Sequence, residues 1–278
     1  MGVKYGATQW CFPGNGVFAI KNAAKVGLQG LQLELGCGAN GYYMTQKRLQ
    51  QDYLEEGEKY SIEFPSISLN DLDKNGYVKG EARPSYQIAL DTIDMVIKMA
   101  KDMGIGTIMM PHYNDNAIVD EFTMENAAKV LKLACEKAFE YGLTIACESA
   151  LNVKDQIILF EKIDMPNITL FYDSQNYHYF AGFLQKEMIE GLYSYIGDQL
   201  HVKDGFGHAY DGGALSCAML GQGDSDFMST VDYLKKKNYS GWLILENYYY
   251  SDKLRVLKED VFEVMQEDIQ YLKSLFDE

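Results

Sequence analysis

Four side chains able to hold a metal or move a proton occupy matching places in the second half of the chain. They are Glu148 in LTIACES, Asp173 in ITLFYDS, His201 in QLHVKD and Glu246 in WLILEN. Each sits near the C-terminal end of a short, largely apolar run. Residues two apart on a strand face the same way. That register sets Thr144, Ala146 and Glu148 on one face, and does the same for Phe171 and Asp173, for Gln199, His201 and Lys203, and for Ile244 and Glu246. Three carboxylates and an imidazole gathered at one rim would stay in conflict without a counter-charge. A divalent cation resolves that conflict. The donor set is oxygen-rich, with one nitrogen and no thiolate. It suits Mn²⁺, Mg²⁺ or Co²⁺ better than a closed structural zinc site, and Zn²⁺ remains compatible with it. Any one of these residues alone reads more readily as a helix cap or a satisfied polar group. Four of them in consecutive strands and one register do not.

Such a rim needs strands to carry it, and the chain supplies eight candidates: residues 3–10, 31–35, 62–68, 106–112, 143–149, 168–174, 199–204 and 242–247. Helical patterns lie between them. Tyr86, Ala89, Leu90, Ile93, Val96, Ile97 and Ala100 recur at i, i+3, i+4 and i+7, and a final pattern runs from Leu254 through Leu257, Val261 and Met265 to Leu272. Gly27, Gly104 and Gly142 end helices just before strands two, four and five. Eight strands alternating with helices over about 250 residues predict an α/β fold, a closed (β/α)₈ barrel forming a single domain over residues 1–278. A doubly wound open sheet is the competitor, but its first turn here, WCFPGNG, lacks the G-x-G-x-x-G fingerprint. In the barrel the C-terminal rim is where sites assemble, and the four residues fall on it.

Composition narrows the partners. With 25 Lys and Arg against 40 Asp and Glu, the formal charge is −15, and no basic stripe offers a phosphate backbone its counter-charge, so nucleic acid is not an expected partner. No apolar run approaches the roughly 20 residues that span a bilayer. MGVKYGATQW also lacks a basic-then-apolar leader, so the expected location is cytoplasmic, away from membranes. The five cysteines include no C-x-x-C pair, which removes a zinc knuckle or a disulfide framework.

The series ACESALN, FYDSQN, QLHVKDG, GQGDSDF and LILEN resembles the sugar (phosphate) isomerase/epimerase family of xylose isomerase-like TIM barrels over essentially the whole chain. The resemblance implies a metal held by Glu148, Asp173, His201 and Glu246. It also implies that Glu148 and Glu246 act as the catalytic acid/base pair on opposite faces of a bound sugar. One would take a proton from the carbon beside a carbonyl and the other would return one, with the metal stabilising the enediolate as a Lewis acid. It further implies substrate-side roles for Glu34 on the second strand and for Lys203 and Asp204, which contact substrate or orient the ligands. His112 ends strand four, where the family often places a substrate-side polar residue, although capping the next helix is the alternative. The substrate class implied is a small sugar, a polyol-derived ketone or a sugar phosphate, handled by a dimer or tetramer.

Departures from the family pattern bear on the substrate. The Asp-x-x-His segment common after strand six reads Asp173-Ser174-Gln175-Asn176 here, with His178 two places later, so Asn176 or His178 takes the substrate-binding role. Gly207 stands where ketose 3-epimerases tend to carry arginine. Trp10 offers an apolar wall against a sugar, or plain packing. GQGDSDF is read as scaffolding in which Asp224 or Asp226 caps the following helix; no G-K-[ST] follows to make a phosphate cradle. A dehydratase of inosose type uses the same ligands and is the closest alternative reaction. A non-catalytic sugar-binding barrel is the alternative of a different class, and the Glu148/Glu246 pair argues against it. A multi-zinc nuclease site is at odds with four histidines and an acidic chain.

Overall fold

The computed structural model describes residues 2–209, 214–251, 254 and 260–277. Leu257 of the expected final helix and the side chain of Cys217 lie outside them. Eight parallel strands close into a barrel: β1 (Lys4–Thr8), β2 (Gly30–Glu34), β3 (Ser66–Ser68), β4 (Thr107–Pro111), β5 (Thr144–Glu148), β6 (Ile168–Asp173), β7 (Ile196–Val202) and β10 (Trp242–Leu245). Around the cycle the order is β1-β10-β7-β6-β5-β4-β3-β2, the sequence order of a (β/α)₈ barrel. The strands are nearly continuous apolar runs because a parallel strand in a barrel is covered on both faces; TIMMP of β4 and WLIL of β10 are buried throughout.

Packing groups the chain into two compact units. The first comprises Met1–Gln32, Glu55–Phe64 and Tyr172–Glu278. Within it β1 pairs with β2 (Gly6 opposite Gly30) and with β10 (Ala7 opposite Leu245), and β10 pairs with β7 (Ile244 opposite His201). The second comprises Leu33–Leu54 and Pro65–Phe171, where β4 lies between β3 and β5, and Pro111 stands opposite Glu148.

Helices follow the strands, beginning with α1 (Phe18–Lys25) and α2 (Lys47–Tyr60), and several open and close where the sequence carries start and stop signals. Pro84 opens α3 (Pro84–Met103), and Gly104 closes it at φ 69°, a left-handed conformation that favours glycine. Asp120 accepts from the Thr123 N–H to start α4 (Glu121–Phe139), and Asn152 accepts from the Asp155 N–H to start α5 (Val153–Ile163). Two short helices, α6 (Asn176–Ala181) and α7 (Gln185–Leu192), follow β6. The last is α9 (Val261–Phe276), capped by Asp260; no described helix is long and apolar enough to cross a membrane.

Two expectations are corrected and one element is added. The third strand is shorter than residues 62–68: Pro65 lacks the N–H that would continue the ladder, leaving Ser66–Ser68 and an isolated bridge between Gly30 and Glu63. A hairpin absent from the sequence reading, β8 (Asp204–Phe206) with antiparallel β9 (Ala214–Ala218), follows β7 directly. In GQGDSDF, neither aspartate side chain caps α8 (Phe227–Lys236). Asp226 sits at the N-cap with φ 60° and makes no side-chain cap bond, while the Asp224 carboxylate accepts the Gly207 N–H. The glycine of that turn is nevertheless required. A Cβ on Gly223 would overlap Asp204 Oδ1 and the Gly205 carbonyl.

Candidate metal and proton-transfer centre

Glu148 and Asp173 end their strands, His201 is the penultimate residue of β7 and Glu246 directly follows β10, and a ligand-capable atom from each lies within 4.8 Å of the others. All four are buried, with His201 fully so. Asp173 uses its two oxygens differently. Oδ1 accepts the N–H groups of Gln175 and Asn176 at 2.7 Å each, anchoring the start of α6, which leaves Oδ2 turned to the cluster. Oδ2 lies 2.8 Å from Lys203 Nζ and 3.6 Å from His201 Nδ1.

Gln32 orients the histidine. Its Oε1 sits 2.7 Å from His201 Nε2 and can only accept, so Nε2 carries a proton and Nδ1 is the nitrogen turned to the cluster. Nδ1 faces Glu246 Oε2 at 3.2 Å, a contact that a proton between them satisfies and that a divalent cation would replace. Gln32 went unnoticed in the sequence. The signal was there, because it lies two residues before Glu34 and shares its face of β2.

Glu246 is held from both sides. The Trp10 indole N–H donates to Oε1 at 2.9 Å, while Lys203 Nζ pairs with Oε2. Burial pushes this carboxyl up, but His201 and Lys203, by charge and by hydrogen bonds, hold it well below the usual carboxylate range. Trp10 therefore does more than wall or fill: it fixes one oxygen of Glu246, with its ring edge-on to His201.

The donor set fits a divalent cation. Opposite ligands of a six-coordinate ion with bonds of about 2.1 Å lie about 4.2 Å apart, so a spread of at most 4.8 Å needs only small side-chain adjustment. Gln32 holds His201 Nε2 and leaves Nδ1 towards the cluster, and Asp173 takes its two backbone donors on Oδ1, which leaves Oδ2 towards it.

The remaining expected site residues are placed as follows. His112 is buried: Tyr77 Oη lies 2.7 Å from Nε2, and Nδ1–H points at the Glu148 carbonyl at 3.3 Å, which the His112 backbone N–H also binds at 2.8 Å. It grips the backbone of Glu148. Glu34 accepts from Tyr43 Oη and Asn70 Nδ2, and lines a cavity of about 450 Å³ with Asn70, Asp71, Asp73 and Asn114. The Asp204 carboxylate is committed to Gly205 N–H, Gly223 N–H and Ser225 Oγ. Asn176 begins α6 and is buried. His178 packs on the His208 ring at 4.3 Å, with Nε2 3.5 Å from Asp224 Oδ1.

Burial lowers the His112 pKa from its ordinary 6.5 to about 4. Between those values the unfolded chain takes up a proton that the folded chain refuses, so His112 removes stability as pH falls from 6.5 towards 4. The gap corresponds to about 3 kcal/mol. Urea unfolding measured from pH 7 to 4 is expected to show this loss, and a His112→Gln variant should show a flatter profile over the same window. Equal slopes in the two proteins would contradict it.

A model of the xylose isomerase-like TIM barrel family matches residues 20–275, and the chain belongs to that family. One curated relative is 24% identical over 208 residues, covering 74% of each chain: 2-epi-5-epi-valiolone 7-phosphate 2-epimerase of an Actinoplanes species. Among solved structures, D-psicose 3-epimerase from Clostridium cellulolyticum, determined with D-tagatose, superposes with a TM-score of 0.77 at 12% identity, covering 98% of this chain and 99% of that one. A xylose isomerase domain protein from Planctomyces limnophilus gives 0.75 at 14% identity, covering 99% and 96%. At these identities the structural likenesses establish the fold.

Proposed function

We propose that this chain is a divalent-metal-dependent sugar or sugar-phosphate epimerase or isomerase, with the whole chain acting as one domain. The observation that carries the reading is the buried group of Glu148, Asp173, His201 and Glu246, in which Gln32 turns His201 Nδ1 to the cluster and His201 and Lys203 keep Glu246 ionised. A bound Mn²⁺, Mg²⁺ or Co²⁺ would add Lewis-acid stabilisation of an oxyanion forming beside the substrate carbonyl. The protein's own part is proton movement. In this reading a carboxylate oxygen of Glu148 or Glu246 takes the proton from carbon, and the other glutamate returns one to the opposite face. Asp173 and His201, together with the two glutamates, would hold the ion. Lys203 keeps the charge of the site low enough for a second anion to form. The curated relative, an epimerase of a cyclitol phosphate, supports the class of reaction.

Glu34 and the polar cavity it lines, together with Trp10, Asn176 and His178, are the residues we assign to the substrate. His112 and Asp204 we assign to positioning, because their polar atoms are engaged with Glu148 and with the GQGDSDF turn.

Incubation with Mn²⁺ in heavy water, across a panel of ketoses, aldoses, cyclitol ketones and their phosphates, tests this. Deuterium is expected on the carbon beside the carbonyl of at least one compound, and EDTA should abolish its entry. Stoichiometric Mn²⁺ binding with no exchange into any panel member would remove the proton-transfer reading.

A further inference from the structure

Directly after Glu246 stands Asn247, fully buried, and its side chain reaches three separate pieces of the fold. Its Oδ1 accepts the Asp204 N–H at 3.2 Å, next to Lys203 at the end of β7. Its Nδ2 donates to the Ala218 carbonyl at 3.2 Å, on β9, and to Asp268 Oδ2 at 2.6 Å, on α9. Asp268 is itself fully buried and has two further donors: the Leu220 N–H on Oδ1 and Tyr249 Oη on Oδ2, both at 2.8 Å. Tyr249, the middle of three consecutive tyrosines at 248–250, is thereby an interior anchor.

We infer that Asn247 and Asp268 are positioning residues that set the spacing between Glu246 and Lys203 at the metal centre. This rests on the proposed function above. An amide can be turned either way, and its environment decides which end is oxygen. An ionised carboxylate only accepts, so Asp268 forces the NH₂ of Asn247 towards itself and leaves Oδ1 for the Asp204 N–H. Burial raises the Asp268 carboxyl to about 6 against the pull of its three donors, so it remains ionised at neutral pH. The amide therefore ties the backbone after Lys203 to the residue after Glu246, and helix α9 fixes its orientation from outside the barrel. The two tied residues are the neighbours of an ammonium and a carboxylate in direct contact. A slip at Asn247 moves that pair.

The test exploits the orientation. In Asp268→Asn, whichever way the new amide turns, a donor faces a donor: either the Asn247 NH₂ or the Leu220 N–H. If Asn247 flips to escape, its NH₂ meets the Asp204 N–H. Asn247→Leu removes the tie at similar size. Tyr249→Phe deletes one donor to the same carboxylate and leaves the orientation of Asn247 unaltered. Calorimetric titration with Mn²⁺ alone, melting curves, and kcat and KM at saturating Mn²⁺ are measured for all of them and for Glu246→Gln.

The inference expects Mn²⁺ affinity about 10–100-fold weaker in Asp268→Asn and Asn247→Leu, with kcat falling more than KM rises. Tyr249→Phe should lose melting temperature while keeping parental Mn²⁺ affinity. If all three variants lose melting temperature and none shifts Mn²⁺ affinity, the network is structural only and the inference is overturned. If the parent fails to bind Mn²⁺, or Glu246→Gln binds it as tightly as the parent, the metal reading itself fails and the inference falls with it. Should Asn247→Leu not fold, Asp268→Asn against Tyr249→Phe still decides.

Discussion

Glu246→Gln is expected to lower kcat/KM for epimerisation by about 10²–10⁴-fold, the range for removing a positioned acid or base, while leaving one half of the chemistry measurable. The substitution is nearly isosteric, so the Trp10 indole can still donate to a side-chain oxygen at this position. What disappears is a carboxylate that His201 and Lys203 hold ionised. If the two glutamates serve opposite faces, each abstracts from only one epimer. The Glu246→Gln enzyme still carries Glu148, and Glu148 can take and return a proton on its own face. Deuterium from heavy water should therefore enter the epimer facing Glu148 without any inversion, and should not enter the other. Glu148→Gln should show the mirror image. The measurement is proton NMR of each pure epimer incubated with each variant, loaded with saturating Mn²⁺ so that weakened metal binding does not mimic the loss. Equal residual exchange into both epimers would sink the two-base assignment and leave a single-base or water-mediated route. Retention of full turnover in both variants would remove the glutamates from the chemistry.

The four-residue cluster could be read from the chain because a strand alternates strictly. Once Glu148, Asp173, His201 and Glu246 are placed two residues from their inward neighbours, closure of the barrel brings them together, and the observed register agrees, with Ile244 opposite His201 on adjacent strands. Glu34 comes from the family resemblance, and the alternation on β2 is not followed two residues back to Gln32, which sits on the same face and orients the histidine. Other parts were not legible for a different reason. Trp10 Nε1 bonds a residue 236 positions away, and Asn247 meets Asp268 across 21 positions. No local periodicity encodes which buried donor meets which buried acceptor. The β8–β9 hairpin follows β7 after Lys203 alone, in a glycine-rich stretch with no alternating pattern, and pairing geometry alone reveals it. Asp204 shows the limit from the other side. Its type and place suit a substrate contact, yet its carboxylate is committed to three donors of the neighbouring loop and turn.

Lys203→Met is expected to destabilise the metal-free protein strongly, and a divalent cation is expected to undo most of the damage. Lys203 Nζ contacts both Asp173 Oδ2 and Glu246 Oε2, and all three residues are buried. Methionine keeps the aliphatic stem and removes the charge, leaving two desolvated carboxylates near each other with only the His201 ring beside them. Breaking a buried pair by deleting one partner typically costs about 3–5 kcal/mol, because the remaining charge is uncompensated. Urea unfolding in EDTA should show a deficit of that order. Mn²⁺ at 1,000 times its dissociation constant returns about 4 kcal/mol to any protein that binds it only when folded. The variant should gain more than the parent does, because in the parent the ammonium already answers part of the charge that the ion would meet. The informative quantity is therefore the difference between the two Mn²⁺-dependent gains, measured at matched saturation. A variant as stable as the parent in EDTA would show that the two carboxylates are not both ionised in the metal-free protein, and that Lys203 is not their counter-charge. A deficit that Mn²⁺ leaves unchanged would instead separate the ammonium from the metal centre, and would place its contribution in the barrel interior rather than in the chemistry.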